Sequence, residues 1–199
     1  MSVMPDLPPR PSRSSRPGMA PIAYHVDEAD RIVWIGPDWT TFAAANDAAE
    51  LVPDVLLNRP LQAWISGLSI WNLYALLMHT VRRTGDPLTF AFRCDAPGLR
   101  RFLTMTLSPR PAGGLAFTSR LVRAEARVPV TLFDRRVPRS EQFVTICSWC
   151  KRAKMAGGAW VEVEEAVGTL RLFVDMRLPA LTHGICRECS DQVMRLGDG

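Results

Sequence analysis

A chain of 199 residues, 47% of them hydrophobic, is long enough for one full domain plus a small appended unit and can bury a sizeable core. No apolar run approaches a bilayer span and the first 21 residues hold no apolar leader segment, so a cytoplasmic protein off the membrane is expected. The formal charge of +4 does not mark a polyanion binder: half of it lies in residues 1–21, and residues 22–124 and 125–199 carry only +1 each.

Residues 1–21, rich in Pro and Arg, have little to bury and are expected to form a disordered arm. The runs I22-A-Y-H-V26 and I32-V-W-I35 read as strands of a hairpin joined through D27-E-A-D30. A short helix is expected over W39–N46 with Asp38 as its N-cap, followed by broken helical turns from 47 to 68 of a kind that wraps one side of a pocket. Ser69 to about Arg83 gives the clearest helix. Ile70, Leu73, Tyr74, Leu77 and Val81 share its apolar stripe, and His79 lies off it. Three antiparallel strands follow, L88–D95, F102–S108 and L115–V122, linked by turns at 96–101 and 109–114. Cys94 falls in step with Phe90 and Phe92, as a buried small hydrophobe would. Residues 124–140 read as a linker with one short strand at V128–F133. In the remainder, 141–196, a helix is expected after Trp160, a strand over L170–M176 and a terminal helix over E188–L196.

That last segment holds four of the five cysteines, as C147-S-W-C150 and, after 35 residues, C186-R-E-C189. A two-residue gap aims both sulfurs of a turn at one centre, and two such turns supply the tetrahedral thiolate set that Zn2+ prefers. Four thiolates leave no open position, which assigns the metal to structure; two disulfides are the alternative, disfavoured in a reducing compartment. Cys147, Cys150, Cys186 and Cys189 are therefore the expected ligands. His183 is expected to donate a hydrogen bond to one of the sulfurs. A unit this small has too little core of its own, so its folding should be coupled to the metal.

The order of two strands, short helices, one long helix and three strands, together with H25–I35, W39-T-T-F-A43, L73-Y74, F92-R-C-D-A-P97 and R100-R101, resembles small bacterial PAS-like proteins. The ending I146-C-S-W-C-K-R152, G158-A-W160 and T182-H-G-I-C-R-E-C189 resembles the metal-type tail found in PAS and receiver-linked signalling proteins, although Thr182 and Arg187 depart from its S-H-G and C-P-x-C pattern. The resemblance implies an α+β fold. A PAS-like five-stranded antiparallel sheet with flanking helices would occupy 22–123, and a four-cysteine zinc-binding module 141–196. It also implies a sensory or adaptor role through protein association, as a homodimer or with a signalling partner, with any small-molecule ligand unidentified.

A sensor pocket would lie between the long helix, at Tyr74, Leu77 and Met78, and the sheet face bearing Phe90, Phe92, Leu103, Met105 and Phe117, unless those side chains fill the space themselves. A haem sensor would need His79 to face inward, which its position off the stripe opposes. A nucleic-acid-binding zinc ribbon is the other alternative. Lys151, Arg152, Lys154 and Arg187 flank the cysteines, but residues 147–199 hold as many acidic as basic groups. His25, His79 and His183 fall on separate elements with no nucleophile beside a base, so no enzyme is expected.

Overall fold

The computed structural model describes residues 20–169 and 177–197, so most of the expected arm and the strand expected at 170–176 lie outside it. Ile22–Val26 (β1) and Ile32–Ile35 (β2) form the antiparallel hairpin. Its turn is held by Asp27, whose Oδ1 accepts the N–H groups of Ala29 and Arg31. Trp39–Ala44 is a short helix (α1), but the Asp38 side chain makes no capping bond. The anchor here is Trp39, whose indole N–H donates to the Leu51 carbonyl at 2.7 Å. A second short helix, Pro53–Leu56 (α2), and a 3-10 turn at Leu61–Trp64 complete the irregular stretch.

The long helix spans Leu68–Thr84 (α3) and stops at Gly85, which takes the left-handed conformation (φ 76°) that favours glycine at a helix end. Ile70, Leu73, Leu77 and Val81 are buried as the stripe required, and so are Met78 and Thr80. Three strands follow, Leu88–Arg93 (β3), Leu99–Pro109 (β4) and Leu115–Ala126 (β5). All pairings are antiparallel and the sheet order is β2-β1-β5-β4-β3. On β4 the residues Arg101, Leu103, Met105 and Leu107 point inward, as a period of two demands. The turn expected at 96–101 is shorter than its residues implied, because β4 and β5 already pair at Leu99 with Ala126, and a bulge between Phe102 and Leu103 absorbs the extra twist.

Residues 124–140 are no free linker. The first three finish β5, Val130 and Leu132 are buried, and the strand expected at V128–F133 is a 3-10 turn at Thr131–Phe133. Arg139–Cys147 (β6) then opens a second sheet with Ala153–Lys154 (β7), Trp160–Val161 (β8) and, after the helix Val163–Thr169 (α4), Leu178–Gly184 (β9). Its order is β8-β7-β6-β9, and β6 and β9 run parallel. Parallel neighbours require a crossover, which is what the long gap between the cysteine pairs supplies. A final helix, Arg187–Gly197 (α5), lies against α3, where the Thr80 hydroxyl donates to the Gly197 carbonyl at 3.0 Å. This contact accounts for the burial of Thr80, off the apolar stripe of α3.

Two hydrophobic cores result. The smaller one gathers Val130, Leu132, Val144, Ile146, Val163 and Val167 under the second sheet. The larger one lies under the first sheet and α3, and it also takes in Cys147, Trp149, Cys186, Cys189 and Val193 from the C-terminal part. Among the described residues no helix is long and apolar enough to cross a membrane.

Candidate metal centre

The parallel pair β6 and β9 brings the two cysteine motifs together. Cys147 closes β6 in register with Gly184 at the end of β9, and the Ser148 N–H donates to the Gly184 carbonyl at 2.8 Å. Each strand thus delivers one C-x-x-C segment to the same end of the sheet. The first segment turns tightly: Cys147 N–H donates to the Arg152 carbonyl, Lys151 N–H donates back to the Cys147 carbonyl, and Lys151 sits at φ 62°. Cys186 and Cys189 stand at the start of α5, where the helix dipole favours thiolate.

The four sulfurs lie within 4.8 Å of one another, and Cys150 and Cys186 are 3.7 Å apart. Four sulfurs at zinc's bond length sit about 3.8 Å from each other at the corners of a tetrahedron, so the donor set fits a single ion. All five cysteines are free thiols, and a disulfide would bring its sulfurs to about 2 Å. The electrostatics point the same way. Hydrogen bonds from Cys147 and Cys189, then from Arg152, pull the Cys150 thiol far below its ordinary range. Burial pushes Cys186 up to about 12, and hydrogen bonds within the cluster hold Cys189 higher still. Cys150 favours the thiolate here while Cys186 and Cys189 resist it, unless a cation shares the site.

The sulfurs take their hydrogen bonds from Arg152 and from the backbone. Arg152 donates from Nε to Cys150 at 3.2 Å and from its terminal nitrogen to Cys186 at 3.3 Å, while Glu188 holds the same guanidinium at 2.8 Å. The N–H groups of Cys150 and Cys186 both point at the Cys147 sulfur at 3.5 Å. His183 does none of this. It lies exposed on β9 opposite Ile146 and makes no hydrogen bond to sulfur among the described residues.

Trp149, between the first two thiols, is only 4% exposed. Its ring packs 5.5 Å from both Tyr74 on α3 and Phe90 on β3, and its carbonyl accepts the Arg93 N–H at 2.7 Å. The indole N–H is buried without a partner. An apolar residue between the two cysteines is the sequence signal that this turn packs inward, which C-x-x-C spacing alone does not carry.

Trp149 also changes the expected sensor pocket. Leu77, Met78, Phe90, Met105 and Phe117 are buried in the core, Phe92 packs on its edge, and Leu103 faces a shallow recess beside Cys150 and Cys189. Of the eight residues expected to line the pocket, only Tyr74 borders the apolar cavity of about 280 Å3 found beside α3. That cavity lies between the β1–β2 hairpin and the turns of 47–68, with Tyr24, Trp39, Leu56, Leu61 and Trp64 in its wall. Tyr74 has its hydroxyl pKa pushed up to about 12 by burial, and burial also raises that of Tyr24.

The F92-R-C-D-A-P97 and R100-R101 segments form an ion network. The Asp95 carboxylate, fully enclosed, bridges Arg93 and Arg127, and these reach Glu162 and Glu164 at the start of α4. Arg100 joins both glutamates, and Arg101 turns the other way to the Cys94 carbonyl and Asn46. The network joins the turn between β3 and β4 to the second sheet's helix. Cys94 lies just past the end of β3, half-buried, and is not the enclosed core residue its phase implied.

No protein-family model matches the chain, and no curated protein matches it in sequence. Among solved structures, a domain of an HTR-like protein from Haloarcula marismortui is similar over 52% of this chain and 98% of that domain, at 19% identity and a TM-score of 0.37. A superposition that loose carries no functional inference.

Proposed function

We propose that the chain is a PAS-like sensory or adaptor protein that works by association with another protein chain, and that its cysteine centre holds one structural Zn2+. The observation that carries the sensory reading is the partly open apolar cavity beside α3, built from the hairpin, the irregular turns and Tyr74. The strand order β2-β1-β5-β4-β3 and the long helix across the sheet support the PAS-like assignment that the sequence motifs imply. Zinc is favoured over other ions by four thiolates with no fifth donor in the set. The centre is structural because its sulfurs are largely enclosed and its Trp149 is part of the main core.

Association as a homodimer is the simplest form of this role. Trp34 on the edge strand β2 is 40% exposed and stacks on His25, which leaves aromatic surface beside unpaired backbone groups. Trp39 offers none, being turned into the cavity wall. Native mass spectrometry of chelator-free protein tests the reading in one measurement. The expected result is a dimer with one zinc per chain, and replacing any one of the four cysteines by serine abolishes the zinc. A monomer at micromolar concentration removes the dimer; iron, or no metal, removes the zinc assignment.

A further inference from the structure

A crevice runs between the two sheets, adjoining the cavity beside α3 at Trp64, Ile65 and Tyr74 and the first cysteine turn at Ser148 and Trp149. It consists of two adjoining hollows of about 280 and 400 Å3 that share Arg135 and His183 on their border. The larger is walled by Phe133, Ile146 and Leu181 and is bordered by Asp95, Arg139 and Lys151.

The charges facing it do not balance. Asp95 is the one carboxylate in the wall, and it is already divided between Arg93 and Arg127. Three basic groups remain, although burial lowers the pKa of Lys151 and, less consequentially for a guanidinium, of Arg139. Arg139 donates only to the carbonyls of Leu132, Asp134 and Pro179, and Lys151 donates only to the Ser148 carbonyl at 2.9 Å. Arg135 makes no hydrogen bond or ion pair among the described residues. Carbonyl dipoles orient a cation without neutralising it, and partial burial in a concave wall strengthens the field it makes. His183, open to solvent on one side only, registers that field: partial burial first, and then Lys151 and Arg135, lower its pKa. Cations on an open face would be dispersed by solvent; here two of the three are pinned by the backbone around one hollow.

We propose that this crevice binds a small organic anion, with a phosphate or carboxylate head among Arg135, Arg139 and Lys151 and an apolar body against Phe133, Ile146 and Leu181. Sites at the junction of two folded units with an apolar wall and a few convergent polar groups are where small ligands are commonly held. The head is held by charge-assisted hydrogen bonds, for which a guanidinium's planar fork is suited.

The test uses the full, metal-loaded chain, titrated with phenyl phosphate, benzoate and inorganic phosphate at low salt and followed by calorimetry and amide NMR. Saturable binding of phenyl phosphate or benzoate is expected, tighter than that of inorganic phosphate, with shifts at Arg135, Lys151 and His183. The tighter of the two names the head group. Arg135→Gln should weaken binding by about tenfold or more, the loss of one charge-assisted contact, without changing the unfolding transition. Arg136→Gln is the control: that side chain is 75% exposed and paired with Asp134 outside the crevice, so the variant should bind as the parent does. Absence of saturable binding by all three anions, equal losses in both variants, or shifts confined to the cavity beside α3 would each overturn the proposal.

Discussion

Trp149 carries two opposed terms. Its ring fills the space between Tyr74 and Phe90, but its N–H is buried with no acceptor. Removing the ring in Trp149→Ala should cost about 3–5 kcal/mol, as for other large core residues. Trp149→Phe keeps most of the ring contact and discards the unpaired donor, worth about 1–3 kcal/mol, so its net cost should be small. Urea unfolding of the metal-loaded variants separates the two; equal losses would mean that the indole N–H has a partner. Arg152 makes a different kind of contribution, since its guanidinium donates to two sulfurs and is itself held by Glu188. Arg152→Gln should lower metal affinity by about 10–100-fold, as loss of partners behind metal ligands does. Competition against a chelator reads this, and an unchanged affinity would reduce Arg152 to a surface ion pair.

At the scale of elements, α4 is attached to the turn between β3 and β4 by charge. Burial works against ionisation of Glu164, but a backbone hydrogen bond and the guanidinium groups of Arg100 and Arg127 outweigh it, so its pKa lies below the ordinary 4.5. The folded value is depressed, so the contribution is present above the unfolded pKa and drains away as pH falls through the folded one. Glu164→Gln should therefore lower stability at neutral pH and flatten the decline on the acid side. Thermal unfolding from pH 7 down to about 3, below the unfolded carboxylate, checks it, and parallel acid limbs in the two proteins would refute it. The ion network also gives the F92-R-C-D-A-P97 motif a structural part: Arg93 joins α4 directly and Asp95 joins it through Arg93 and Arg127.

For the whole molecule, the metal centre belongs to the larger core and is not sealed off in the C-terminal part. A small unit stapled by its own ion would unfold alone on chelation. Here the turn between Cys147 and Cys150 holds Trp149 against α3 and β3, so losing the metal should loosen the first sheet's packing as well. Near-ultraviolet circular dichroism before and after chelation measures this. Signal from the Tyr74, Phe90 and Trp149 cluster is expected to fall together with the metal; a change restricted to residues 139–197 by amide NMR would show the first sheet to be independent.

The sequence by itself determined what local chemistry and period can determine. Two C-x-x-C pairs identified four donors for one ion, the apolar stripe set the inward face of α3, and alternation set the inner faces of β4 and β5. Tertiary structure decided which neighbour each face meets. Period shows that Thr80 lies off the first stripe but cannot reveal that α5 meets it from more than a hundred residues away. Cysteine spacing names ligands but not the guanidinium that supports them, since Arg152 and His183 are equally eligible donors until β6 and β9 are paired in register. The pocket moved for the same reason: the space between α3 and the sheet goes to whichever side chains reach it, and Trp149 reaches it only after the second sheet has folded against the first.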